Sequence, residues 1–318
     1  MDNLKQKTIN GMIWTISERL GLQLVQLVVS IILARLLQPA EFGLISMLML
    51  FTAIAQSLLD SGFGSALIQK KDSTQTDASS IFFFNIFIGI ILATILSLGA
   101  PLIANFYQQP ILIPLTRVLS LNVIINAFSV VQTSLLTKNM DFKAQLKVSI
   151  ASVLISGTTG IIMAFQGLGV WSLVVQMVLN QLIRAILLWI ASSWRPAAEF
   201  SYLSLKSMFS FGSRMLVSGL IDTFFNNILQ TFIGKIFSAV DLGYYTRAKT
   251  METSATFATS ASLGQVTYPA LTPYQDNDVL LKKVYRKTIR LSLFFHFPLM
   301  IGLWSIADPL FRLLLTDK

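Results

Sequence analysis

Two series of polar side chains recur at helical spacing inside long apolar runs. Arg19, Gln23, Gln26 and Ser30 step by four, three and four, and Arg214, Ser218, Asp222, Asn226 and Gln230 step by four throughout. Either spacing lines side chains along one face of an α-helix. Ionisable groups in an apolar run are costly unless they face water or a partner, so Arg19, Arg117 and Arg214 and the acids Glu18, Asp60 and Asp222 are read as functional. Guanidinium matches phosphate with forked hydrogen bonds and keeps its charge. Arg19, Arg214 and Arg117, with the amides Gln23, Gln26 and Asn226, therefore suit a cavity for a phosphate-bearing, hydroxyl-rich ligand, with Trp14, Trp171 and Trp189 available to stack on sugar rings. Glu18, Asp60 and Asp222 can bind a proton or sodium ion, or pair with a cation. Asp60 and Arg19 lie at similar depth, about 15 Å from the same membrane face at 1.5 Å per residue, and are expected to pair. Arg184 fits either a cavity or a snorkelling position, whereas Glu252 and Asp308 read as interfacial. The competing reading of both stripes is that they bind helices together by hydrogen bonds.

The elements that must position these residues follow from composition. Of 318 residues, 54% are hydrophobic and only 12% charged, too little polar surface for a water-soluble chain of this length. About nine apolar runs are long enough to cross the hydrocarbon layer, near residues 11–37, 42–68, 79–106, 111–137, 145–166, 169–192, 208–234, 250–272 and 289–315. The expected fold class is an all-α polytopic membrane protein. The first run exceeds signal-peptide length and has no small-residue cleavage site after it, so it is read as retained. The sequence contains no cysteine, which excludes disulfides and thiolate chemistry, and no metal or cofactor is expected.

The formal charge of +9 could indicate nucleic acid, but its placement explains it otherwise. With a cytoplasmic N-terminus, the inside segments hold Lys5, Lys7, Lys70, Lys71, Lys138, Lys143, Lys147, Arg195, Lys206 and the run from Lys282 to Arg290. The outside segments hold only Arg35, Lys235, Arg247, Lys249, Arg312 and Lys318. That asymmetry is the positive-inside pattern, and no nucleic-acid partner is expected.

An internal repeat sets the organisation. Residues 31–46, IILARLLQPAEFGLIS, return 200 positions later as TFIGKIFSAVDLGYYT, aligning Arg35 with Lys235, Glu41 with Asp241 and Gly43 with Gly243. The seventh run is thus a copy of the first. A polar, proline-containing stretch near Pro196 separates the sixth run from the seventh. The expected organisation is a six-helix lobe over 1–195 and half of a second, pseudo-symmetric lobe over 196–318, with three helices. A full second copy would need about six, so the sequence reads as truncated relative to its architecture.

Six segments carry a family likeness: LARLLQPAEFGLISM (33–47), DSGFGSALIQKKD (60–72), SLLTKNMDFK (134–143), GLGVWSLVVQ (167–176), FGSRML (211–216) and GKIFSAVDLGYYTRA (234–248). Together they resemble the Wzx-type polysaccharide flippases of the multidrug/oligosaccharidyl-lipid/polysaccharide exporter superfamily, in particular the colanic-acid and teichuronic-acid export branch. The resemblance implies a multi-pass protein of the bacterial inner membrane that moves an undecaprenyl-pyrophosphate-linked oligosaccharide to the outer leaflet by alternating access. Its implied partners are that polyprenyl-linked glycan, the lipid bilayer and polysaccharide polymerase machinery. Three alternatives remain. A multidrug exporter would share the plan but favours acids in its cavity, and a non-transporting fragment is also open. A membrane glycosyltransferase would act on the same carrier, yet there is no long soluble loop and a single histidine, His296, read as a helix contact. No enzymatic activity is expected.

Overall fold

The computed structural model describes residues 21–60, 62–70, 72–271 and 278–315, and among these every regular element is an α-helix. In chain order they are α1 (Gly21–Leu36), α2 (Pro39–Asp60), α3 (Phe63–Gln69), α4 (Gln75–Tyr107), α5 (Leu112–Ala127), α6 (Val130–Lys138), α7 (Phe142–Phe165), α8 (Val170–Ala191), α9 (Tyr202–Ile236), α10 (Ala239–Leu271), α11 (Asp278–Ser305) and α12 (Ala307–Leu315).

Two of the expected spans are broken helices. α2 stops at Asp60 and restarts as α3 behind Gly62, whose φ of 71° is the left-handed conformation that glycine adopts without a steric penalty. α5 gives way to α6 across Phe128 and Ser129 with a 42° bend. The carbonyl of Phe128 at that bend accepts the indole Nε1–H of Trp189 at 2.8 Å. Trp189 also stacks edge-on against Phe82 with ring centroids 5.8 Å apart. This tryptophan therefore satisfies a helix break and fills a core rather than standing ready as a sugar platform.

By length and apolar composition, four helical segments among the described residues can cross a membrane: Pro39–Gln69, α4, α7 and α8. The bent α5–α6 pair makes up to five. The reading of nine runs is broader than this. α9, α10 and α11 are 35, 33 and 28 residues long, ample for a span at 1.5 Å per residue, but their polar side chains lower their mean hydropathy. On α9 those side chains are the Arg214–Gln230 stripe itself.

Packing divides the chain into two compact units. One comprises residues 36–246; the described residues before and after it form the other. Within the second unit, Gln23 of α1 donates to Ser254 of α10 at 3.1 Å and Arg247 donates to the carbonyl of Ala34 at 3.1 Å. Arg35 reaches the carbonyl of Leu313.

The larger unit is ordered at both ends. At one end basic residues gather around the start of α4. Thr74 and Asp77 form a reciprocal capping box, and buried Asp77 takes Lys70 Nζ at 2.6 Å. Lys138 Nζ donates to the carbonyl of Lys70 at 2.6 Å. The connection from α8 to α9 is laced to the same place: Gln75 donates to the carbonyl of Arg195 at 2.6 Å, Ala197 N to Ser79 Oγ at 3.0 Å and Ser201 N to Ser80 Oγ at 2.8 Å. The buried core beneath, around Phe63, Ile81, Phe82 and Val131, is closed by Trp189 and Trp194.

Candidate functional site

At the opposite end of the larger unit the two copies of the repeated turn meet. In each, the conserved-class acid sits three residues into the new helix and reaches back to the residue before it. Gln38 N donates to Glu41 Oε2 at 2.7 Å, and Ser238 N donates to Asp241 Oδ2 at 3.2 Å. In the second copy Asp241 N also donates to Ser238 Oγ at 3.1 Å, completing a capping box. The glycines have a different task. A Cβ on Gly43 would run into the backbone carbonyl of Ala239, and one on Gly243 would run into that of Pro39. Each glycine thus lies against the first helical residue of the other copy. Ser46 and Thr246, again 200 apart, share a 2.9 Å hydrogen bond. These paired contacts, 43 with 239, 243 with 39 and 46 with 246, are those of a local two-fold axis between the turns.

A second construction lies at the two helix breaks. α3 and α6, the short segments after the breaks, pack together where Gly64 leaves room for Ser134 Oγ. α8 stands beside them. Between these helices is a cavity of about 430 Å³ whose polar wall includes Gln56, Asp60, Asn126, Thr133, Gln181 and Arg184. The residues arrive there by helical spacing: Gln56 and Asp60 are four apart on α2, and Gln181 and Arg184 three apart on α8. Gln181 Nε2 donates to Asn126 Oδ1 at 2.8 Å, and Asn126 Nδ2 donates to Asp60 Oδ1 at 3.4 Å. Asp60 and Arg184 are electrostatic neighbours but not an ion pair within 4.0 Å. Gln56 Oε1 is buried with no hydrogen-bond partner among the described residues.

The residues singled out in the sequence are distributed as follows. Arg19 and Glu18, and so the expected partnership of Arg19 with Asp60, lie outside the described residues. Gln23 is half-buried and held by Ser254, while Gln26 on the same helix is exposed. Arg117 is exposed on α5, nine residues before Asn126 and hence about 13 Å along the helix from the cavity. Arg214, Asp222 and Asn226 are exposed along α9, with Arg214 two residues past Gly212, whose backbone packs on Gly62 at the first break. Of the acids among the described residues, Asp60 alone lines the cavity. Its neighbours Arg184, Gln181, Asn126 and Gln56 were not grouped with it from sequence. The pairs 56/60, 122/126 and 181/184 carried a signal, since each repeats polar residues at helical spacing inside an apolar run.

The polysaccharide biosynthesis protein family matches residues 32–318. The chain belongs to this family. Among curated relatives, it is 29% identical to the teichuronic acid biosynthesis protein TuaB of Bacillus subtilis over 100% of this chain and 66% of TuaB. It is 23% identical to the succinoglycan biosynthesis transport protein ExoT of Rhizobium meliloti over 93% of this chain and 60% of ExoT. The chain therefore spans about two thirds of the length of such family members, or less. Its fold matches that of the lipid II flippase MurJ in an inward closed conformation, with a TM-score of 0.72 at 13% identity over 95% of this chain and 67% of that structure. The family member is accordingly a multi-pass, all-helical membrane protein of a transporter fold, with relatives in bacterial glycan synthesis.

Proposed function

We propose that this chain acts in flipping undecaprenyl-pyrophosphate-linked oligosaccharide repeat units across the bacterial inner membrane by alternating access, its N-terminus cytoplasmic. The lobe division in this reading falls at 195/196. The proposed contacts to the pyrophosphate head group are Arg19, Gln23 and Gln26 on the first span, Arg214 and Asn226 on the seventh, and Arg117. Glu18 and Asp222 are proposed for ion coupling, and the polymerase machinery as a downstream partner. The observation that carries the reading is the reciprocal seam of Gly43, Gly243, Ser46 and Thr246. It joins the two copies of the repeated turn about a local two-fold axis, the internal repeat on which alternating-access carriers are built. ExoT, a transport protein by name, and the fold shared with a lipid II flippase support the same direction.

The test is surface-glycan display in a bacterial host lacking its own exporter. Arg214→Ala should lower display about tenfold or more, the size expected for losing a charged hydrogen-bonding group, whereas Lys143→Ala should not. Equal display by the two variants would discard the arginine's role. Absence of display with the unsubstituted protein, correctly inserted, would discard the flippase reading.

A further inference from the structure

The cavity at the two helix breaks belongs to no part of the head-group reading above, yet its wall is a built polar site inside an apolar bundle. Asp60 has one oxygen engaged by Asn126, and its Oδ2 takes no hydrogen bond among the described residues. Gln56 Oε1 is a second acceptor without a donor. Across from them, Arg184 brings a fork of N–H donors, and none of these makes a hydrogen bond within the described part of the protein. Hydroxyls at Thr133, Ser134, Thr137 and Ser65 complete the lining. The amide chain from Gln181 through Asn126 to Asp60 fixes which groups accept and which donate.

We propose that this cavity is a saccharide-recognition site, taking an uncharged sugar of the glycan the protein handles. The selection is chemical. A metal or sodium cation drawn to Asp60 would meet the permanent charge of Arg184, and a phosphate drawn to Arg184 would meet Asp60. An apolar occupant would leave Gln56, Asp60 and Arg184 without partners, which a low-dielectric interior penalises. What remains is a neutral ligand that both donates and accepts at several points, and a pyranose with adjacent hydroxyls does so. A zwitterion such as an amino acid also matches the two charges; the rows of hydroxyl and amide groups, together with membership in a polysaccharide biosynthesis family, favour the sugar. The volume of about 430 Å³ lies within the range of small-molecule clefts. The broken helices explain how such a wall is made, since side chains on either side of a break converge on one space that a continuous helix would spread along its length. The identity of the ligand as a glycan sugar rests on the function proposed above, but the binding measurement does not depend on export.

The protein has no cysteine, so Ser65→Cys places its sole thiol in the cavity wall. In membranes containing the protein, the rate of thiol alkylation by N-ethylmaleimide is measured with glucose, galactose or N-acetylglucosamine, and separately with sodium chloride, sodium pyrophosphate or serine. At a sugar concentration about ten times its Kd, alkylation should slow about tenfold by mass action, for at least one of the three sugars. Sodium, pyrophosphate and serine should leave the rate unchanged. Asp60→Asn and Arg184→Gln, each combined with Ser65→Cys, should abolish the protection without altering the unprotected rate. If either fails to reach the membrane, Thr133→Val is read in its place, with weakened protection expected. Protection by no sugar, protection by an ion, pyrophosphate or serine, or protection that survives the cavity substitutions would overturn the proposal. Sugar protection in a protein that does not export would fault the flippase reading alone, and export without sugar protection would fault the cavity assignment alone.

Discussion

Glu41 and Asp241 stand at matching points of the repeat and could be mistaken for a pair of ligands, yet both are consumed in holding the first turn of a helix. Gly43 and Gly243 are fixed by space, because a backbone carbonyl of the other copy occupies the position of any Cβ. Gly43→Val and Gly243→Val should each force the turns apart. With backbone on the opposing side there is little to relax, and a loss of about 1–3 kcal/mol or more is expected, measurable as a lower thermal midpoint in detergent. Ser46→Ala, which removes only a hydrogen bond to Thr246, should cost about 1 kcal/mol in the same measurement. Asp77→Ala should cost more than Ser46→Ala, about 2 kcal/mol, since it removes the cap of α4 together with the partner of Lys70.

The helices themselves were legible in the sequence wherever an apolar run was long, and α4, α7 and α8 fall where the hydropathy places them. The breaks were not. Nothing between Leu58 and Leu67 interrupts the apolar run except Asp60, Ser61, Ser65 and two glycines, and the second break passes through Phe128 and Ser129, neither of which is a helix breaker. Only when α9 passes with Gly212 against Gly62 does a reason for the first break emerge, because the close backbone leaves no room for a Cβ and the glycine there takes the left-handed φ that ends α2. Gly62→Ala should therefore act twice: it strains a φ of 71°, at about 1–2 kcal/mol, and presses a methyl group onto the Gly212 backbone. The expected result is reduced stability together with altered alkylation of the Ser65→Cys thiol next to the break, whereas Gly99→Ala, which has open space around it, should change neither. The cavity was hidden for the same reason. Asp60 and Arg184 are 124 positions apart, and their neighbourhood depends on the packing of α2 against α8, which periodicity does not encode.

For the whole molecule, the larger unit has a basic end, where Lys70, Lys138 and Arg195 gather around the start of α4, and an end formed by the paired turns. The topology proposed from the charge asymmetry puts the basic end in the cytoplasm. In intact cells a membrane-impermeant maleimide should label Gln109→Cys, near the paired turns, and should label Asn139→Cys, at the basic end, only after permeabilisation; the reverse pattern would invert the topology. The paired turns carry one more implication. A contact in which residue 43 meets 239 while 243 meets 39 is self-complementary, the kind that two identical polypeptides make in a homodimer. Such a surface needs no separate complement: a unit that is duplicated and fused brings both halves of the contact with it.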